Sequence, residues 1–276
     1  MTRLPRLVRG VLGTRRGLQA FAVHTLVAFG LVSAVLQFVG QFTSGPLPQP
    51  VGLILASLVV CLLWGWWQAL PPRRIVHEFR RPDTSVVIEV GDLLDQECAI
   101  VVGFTDTFAT RVGPGGIAAS SLQGQLLERR YDGDADRLTA ELGDALPEAG
   151  PSARYPIGTV AVLGGGPFPV YAVAYSRLDG SGIARATLLG LWLSLGRLWE
   201  SLDRNAERAP VAMPIIGSGL ARVDALDQES LLKMILLSFV ARSRQGVVSR
   251  ELRVVIDPRS QHRVDLREVA AFLKTL

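Results

Sequence analysis

The sequence is poor in several residue types that carry common chemistry. Lysine occurs only at Lys233 and Lys274, so no glycine-rich turn is followed by the lysine of a nucleotide-binding P-loop. Of three histidines, His24 lies in an apolar run, while His77 and His262 stand at no metal-ligand spacing from a cysteine or carboxylate. No metal site is expected. Gly217-Ser218-Gly219 is not the Gly-x-Ser-x-Gly elbow of a hydrolase, and no histidine occupies a plausible partner loop, so no catalytic residue is assigned. The only cysteines are Cys61 and Cys98; the first falls in an apolar run and the second in a strand-like one, so a disulfide between them is not expected.

The longest absence is of charge. No charged residue occurs between Arg16 and Arg73, an interval holding two apolar runs, 18–42 and 51–70, joined by the proline-containing loop 43–50. At ~1.5 Å rise per residue these runs reach about 37 and 30 Å, enough for a ~30 Å hydrocarbon core. They read as a transmembrane hairpin. Arg3, Arg6, Arg9, Arg15 and Arg16 precede it, Arg73, Arg74, Arg80 and Arg81 follow it, and the loop is uncharged, which predicts both termini in the cytoplasm. A twin-arginine export signal is the other reading of Arg15-Arg16, but the run is too long and a second follows, so the segment is taken as an uncleaved anchor in the inner membrane. The organisation expected is a basic segment 1–17, the hairpin 18–70, a linker 71–82 and a domain 83–276.

The formal charge of +4 divides unevenly. Residues 1–82 hold nine arginines and one glutamate; the remainder holds twenty basic and twenty-four acidic residues, a net of −4. The large domain therefore carries no global attraction for nucleic acid. Along it, 85–90, 99–104, 160–163, 170–175, 211–216 and 252–256 read as short strands. Glycines at 164–166 with Pro167 read as a hairpin loop. Leu188, Leu191, Trp192, Leu195, Leu198, Trp199 and Leu202 share one helical face; 224–242 and 264–276 make further helices. The alternation predicts one α/β domain, a mixed sheet with helices on both faces.

Two segments carry candidate chemistry. In "MPIIGSGL", 213–220, glycines follow a strand shortly before a helix, where bare backbone N–H groups and a helix dipole suit an anion. An ordinary turn explains this loop alone equally well. In 86–131, a strand, Gly91-Asp92, a second strand and a glycine-rich loop lead into a helix. Together these segments resemble a macro domain over roughly residues 84–276. The resemblance implies that Asp92, beside Leu93, accepts a hydrogen bond from an adenine amino group; a surface Asp capping a short helix is the bland alternative. It further implies that Gly217, Ser218, Gly219 and Leu220 surround a diphosphate, and that Thr105, Asp106, Phe108, Thr110, Ser120, Ser121, Leu122 and Gln123 line the distal ribose. The family's Asn-Ala-Ala-Asn is replaced here by the stretch Gly103 to Phe108, which argues against hydrolysis. Asp106 then either meets a cationic addition to the ligand or bonds local backbone.

Two apolar spans ahead of a divergent macro domain with "FTDTFAT" and "SSLQGQ" resemble the membrane effectors of Thoeris anti-phage defence. That resemblance implies no cofactor, but an ADP-ribose-derived signal such as histidine–ADP-ribose, made by a partner TIR-domain enzyme. It also implies a homo-oligomer that disrupts the lipid bilayer and kills the cell. The competing expectation is a membrane-anchored ADP-ribosyl hydrolase.

Overall fold

The computed structural model describes residues 15–40, 50–70, 72–113, 116–146, 154–219, 223 and 225–276. The basic segment before residue 15, most of the inter-span loop and the candidate Leu220 lie outside the described residues. Contacts divide the chain into two units, one reaching Pro72 and including Asp265–Glu268, the other Arg73–Val264 with Val269–Leu276.

The first unit contains helices α1 (Arg15–Gly40) and α2 (Pro50–Ala69), which pack antiparallel. The Phe21 and Trp66 rings meet edge to face at 6.3 Å. Small residues form the seam: Ala28, Cys61 and Ala69 are buried, and Gly65 faces Thr25 so closely that a Cβ would overlap its hydroxyl. Close approach of backbones at small residues is how helices associate where apolar burial supplies no drive. Large apolar side chains, including Leu26, Phe29, Leu63 and Trp67, point outward. Among the described residues one helical window, Phe21–Phe38, is long and apolar enough to cross a membrane. The apolar stretch of α2, Ile54–Ala69, falls short of the ~18 residues of a span, so the expectation of two spans is met by one qualifying helix.

The second unit is built on one sheet. Its elements are β1 (Arg74–Phe79), β2 (Thr84–Val90), β3 (Ala99–Thr105), α3 (Leu122–Tyr131), α4 (Ala135–Ala145), β4 (Val160–Leu163), β5 (Val170–Leu178), β6 (Ala184–Arg185), α5 (Leu188–Asn205), β7 (Val211–Pro214), α6 (Gln228–Ser243), β8 (Glu251–Ile256) and, from Val269 on, α7 (Leu266–Leu273). The strand order is β1-β2-β8-β7-β3-β5-β4, with the two-residue β6 beside β5. Strands β2, β8, β7, β3 and β5 are mutually parallel, and β1 and β4 close the edges antiparallel. Ile100, Val102 and Phe104 of β3 pack with Leu126, Leu127 and Tyr131 of α3 and Leu138 and Leu142 of α4. Helices α5 and α6 pair through Trp199, whose Nε1 donates to Ser238 Oγ at 3.0 Å and whose ring meets Phe239 edge to face. Ser194 of α5 donates to the Ala174 carbonyl of β5. The mixed sheet with helices on both faces is as expected.

Several boundaries differ from expectation. The expected linker 71–82 contains β1, in register with β2 from Arg74 opposite Glu89 to Phe79 opposite Thr84. Its alternation is hidden in the sequence by arginines on both sides, and it is an edge strand with no fully buried residue. Strand β7 stops at Pro214, before the buried Ile215 and Ile216, because proline has no N–H for the ladder. Helix α6 starts at Gln228, not at 224, because Asp227 takes the N-cap and accepts from Ser230 N at 2.7 Å. Leu188 and Trp192, expected on the core face of α5, are exposed together with Leu189 and Leu193; burial begins with Leu191. The loop at 164–167 joins the antiparallel pair β4 and β5, as the hairpin reading expects.

Candidate functional site

Parallel strands bring their C-terminal ends, and the loops that leave them, to one edge of the sheet. From β3 the chain departs through α3 and α4 towards β4 and β5; from its neighbour β7 it departs through α6 towards β8. Adjacent strands whose connections diverge leave a crevice between their outgoing loops, the usual ligand position in open α/β sheets. The loops after β3 and β7 flank this crevice. The Gly91-Asp92 turn after β2 lies two strands further, about 10 Å at ~4.8 Å per strand.

The loop after β7 turns at Gly217, whose φ of +85° only glycine adopts without strain. Its side-chain direction is not open: a Cβ would stand 3.1 Å from Leu191 Cδ2 and 3.2 Å from Val223 Cγ2. Gly217 thus serves the turn, and its Cβ side is closed by the packing beneath it. Gly219, by contrast, is exposed with nothing within 4 Å of a Cβ position. Ser218 is turned inward, its Oγ donating to the Ile215 carbonyl at 2.6 Å. The start of α6 lies beyond Asp227, so its dipole is screened by the cap rather than offered directly behind the glycines.

Across the crevice, the loop after β3 is held tightly. Asp106 is buried and bonded four ways: its N–H donates to the Ser176 carbonyl, its carbonyl accepts from Tyr155 N, and its carboxylate accepts from Leu178 N at 2.9 Å and Arg154 Nη1 at 3.0 Å. These partners are not the local backbone of an Asx-type turn. The carboxylate ties β3 to the end of β5 and to the Arg154-Tyr155 segment, partners 72 and 48 residues away. Phe108, expected at the ligand, is buried at φ +45°, stacked on Phe104 at 5.5 Å and edge-on to Tyr155 at 5.4 Å. A bulky residue in the left-handed region is strained, and these two rings hold it there. Thr110 is likewise buried, with its hydroxyl 2.7 Å from that of Thr139. Leu93 is a core residue and Leu122 packs against the core.

Candidates with accessible surface remain. Thr105 shares a 3.0 Å hydroxyl contact with Thr107. Gly113 has open space where a side chain would be, while Gly116 lies against the Arg111 carbonyl and admits no Cβ. Ser120 is exposed; Ser121 caps α3 by accepting from Gly124 N at 3.1 Å; Gln123 donates to the Gly103 carbonyl at 2.9 Å. The ring of Tyr175 covers Gly103, 2.5 Å from a Cβ position there, and burial pushes the Tyr175 phenol up to about 12.

Asp92 sits at the far end of the edge. Its Oδ1 accepts from Leu94 N at 2.9 Å, capping the short 3-10 turn Leu93–Asp95, and its Oδ2 accepts from Arg129 Nη1 at 2.8 Å. The capping role is therefore present, and the carboxylate stays part-exposed. Arg129 also donates to Asp95, and that bond, ahead of the one to Asp92, holds the guanidinium above its ordinary range. Sequence reasoning missed Arg129 and Arg154, since pairing across 37 and 48 residues leaves no local signal. Among the described residues no group of histidine, cysteine or carboxylate side chains could hold a metal ion.

A family model described as the macro domain of the Thoeris protein ThsA matches residues 86–257, well over half the chain. The chain belongs to the Thoeris ThsA macro-domain family. The matched span of this Thoeris macro domain runs from β2 to the first residue after β8, taking in Asp92, the loop after β3 and the loop after β7. Among solved structures it is similar to the Oceanobacillus iheyensis macrodomain with ADP, at 11% identity and TM-score 0.46, covering 74% of this chain and 100% of that one. It is also similar to the macro domain of ganglioside induced differentiation associated protein 2, at 14% identity and TM-score 0.43, covering 68% and 83%. A search of the curated proteins finds no match.

Proposed function

We propose that this chain is a membrane effector of Thoeris-type immunity whose macro domain binds an ADP-ribose derivative, histidine–ADP-ribose being the first candidate. The observation carrying this reading is the pair of open glycines, Gly113 and Gly219, on the two loops that flank the β3–β7 crevice. Exposed backbone without a Cβ lets a diphosphate approach the main chain of these loops, with neither lysine nor metal needed, although the Gly113 N–H itself donates to the Ile117 carbonyl. The adenine would extend towards Asp92 and the distal ribose towards Thr105, Ser120 and Gln123.

The proposed role is sensing rather than catalysis. The carboxylate nearest the distal side, Asp106, is buried and ion-paired to Arg154, which suits it poorly to act as a general base on a bound ligand and weighs against the ADP-ribosyl hydrolase alternative. Helices α1 and α2 would form a transmembrane hairpin with both termini in the cytoplasm, at the inner membrane. Their outward Leu, Phe and Trp side chains and small-residue seam suit a lipid solvent. One hairpin without charge lines no water path, so membrane disruption would require a homo-oligomer, formed when signal from a TIR-domain partner binds the assembled state more tightly.

The test is binding and leakage with the same full-length protein in liposomes. Histidine–ADP-ribose should bind without being consumed, shift the protein to larger assemblies and release entrapped dye. Turnover of the ligand, or leakage equally strong without it, would overturn the reading.

A further inference from the structure

We infer that Arg129 is a positioning residue that fixes the Asp92 carboxylate for reading the amino group of an adenine base. This rests on the reading of Asp92 given above.

A carboxylate offers about four acceptor positions, two on each oxygen. In Asp92 one position on each oxygen is taken, Oδ1 by Leu94 N and Oδ2 by Arg129 Nη1. Two bonds to different oxygens define the plane of the group and leave one acceptor on each oxygen for a ligand N–H. Without Arg129 the cap alone remains, and a part-exposed aspartate held by one bond rotates about its side-chain torsions. The guanidinium is suited to the task because it is planar and forked: its second nitrogen is anchored on Asp95, so the fork itself does not swing. One cation between two carboxylates leaves the cluster with a net negative charge, which favours an amino donor. The same helix carries Gln123 six residues earlier, about 9 Å along its axis at ~1.5 Å per residue, tied to the Gly103 carbonyl of β3. Helix α3 is thereby pinned to β3 at one end and to the Asp92 turn at the other, setting the distance between the two halves of the site.

The experiment compares the affinity of the full-length protein, in detergent, for ADP-ribose and for its hypoxanthine analogue, which has a carbonyl in place of the amino group. Wild type should prefer the adenine form. Arg129→Ala should reduce that preference at least fivefold while changing affinity for the hypoxanthine form less than twofold. Arg129→Lys, which keeps the charge on a single nitrogen but has no fork, should recover part of the preference. Arg129→Ala added to Asp92→Asn should cause no further loss. An Arg129→Ala protein with the wild-type preference overturns the inference, and so does equal weakening towards both ligands, the mark of a merely structural role. Should Arg129→Ala not fold, a wild-type preference in Arg129→Lys overturns it equally. Wild type that binds both bases alike also overturns it. Binding of neither by wild type overturns the reading of the site as well, so the two failures are distinguishable.

Discussion

The two units of this chain are patterned in opposite senses. In the α1–α2 pair the seam is made of Thr25, Ala28, Cys61, Gly65 and Ala69, and the large apolar side chains face out. In the α/β unit the largest apolar side chains, Trp199, Phe104, Phe239 and Tyr171 among them, are fully buried, with an exposed apolar stretch at the start of α5 as an exception. Only the second arrangement gains by removing apolar area from water. In the proposed membrane setting the first would be held by close backbone approach, in a solvent as apolar as its own outer face. One chain thus follows two rules for burying side chains, and single substitutions can separate them.

The largest expected effect is in the α/β unit. Asp106→Ala leaves the Leu178 N–H without its acceptor and removes the ion pair to Arg154, whose guanidinium is half exposed and keeps its bond to the Leu178 carbonyl; with the bond from Leu178 N to a buried charged group dominating, a loss of ~1.5–3 kcal/mol is expected. Thermal unfolding in detergent should show it as a clear drop in Tm, and an unchanged Tm would break the view that polar ties hold the site's floor. Gly65→Val is the counterpart in the helix pair, where the branched side chain collides with Thr25 at a cost of roughly 1–3 kcal/mol. Its readout is disulfide formation between Phe21→Cys and Trp66→Cys in a background with Cys61 and Cys98 replaced. Cross-linking should fall while ligand affinity holds, and loss of both together would mean the two rules are not separable.

The glycines of the loop after β7 sharpen the contrast within one unit. Gly217→Val should lower Tm, because it forces a β-branched residue to φ +85° and onto Leu191 and Val223. Gly219→Val should leave Tm unchanged and weaken an ADP-ribose-type ligand about tenfold, or ~1.4 kcal/mol. Equal effects in calorimetry would remove Gly219 from the ligand path. The smallest effect is expected at Asp227, where loss of the α6 cap in Asp227→Ala costs ~1 kcal/mol. Its carboxyl is held below the ordinary range by the Ser230 N–H, so this contribution is present above about pH 3.9 and lost as pH falls through the lower folded value. Acid titration of stability should lose that component in Asp227→Asn.

What was legible in the sequence was whatever is periodic or local. The strands at 85–90, 99–104, 160–163 and 252–256 announce themselves by runs of Val, Ile and Ala, and the β4–β5 hairpin by its glycines. The order of these pieces was enough for the macro-domain resemblance. Strand β1 was hidden because an edge strand buries too little to need a clean apolar alternation. The candidate site was less legible. Whether Phe108, Leu93 and Thr110 point at a ligand or into the core depends on loop conformation, which has no period to read. Arg129 and Arg154 acquire their meaning only when α3 and the segment before Pro156 are folded against distant strands.

The place of β8 in the sheet has a consequence for the time at which the protein becomes competent. It is the last strand to be synthesised, yet it lies between β2 and β7. Until it emerges, the edge bearing Asp92 and the edge bearing Gly219 have no strand joining them. Helices α1 and α2 leave the ribosome roughly 180 residues earlier, about 10–40 s ahead at ~5–20 residues per second. For that interval a nascent chain has its apolar helices but not the completed sheet, so the crevice proposed to bind the ligand is not backed by a continuous sheet until β8 has been made.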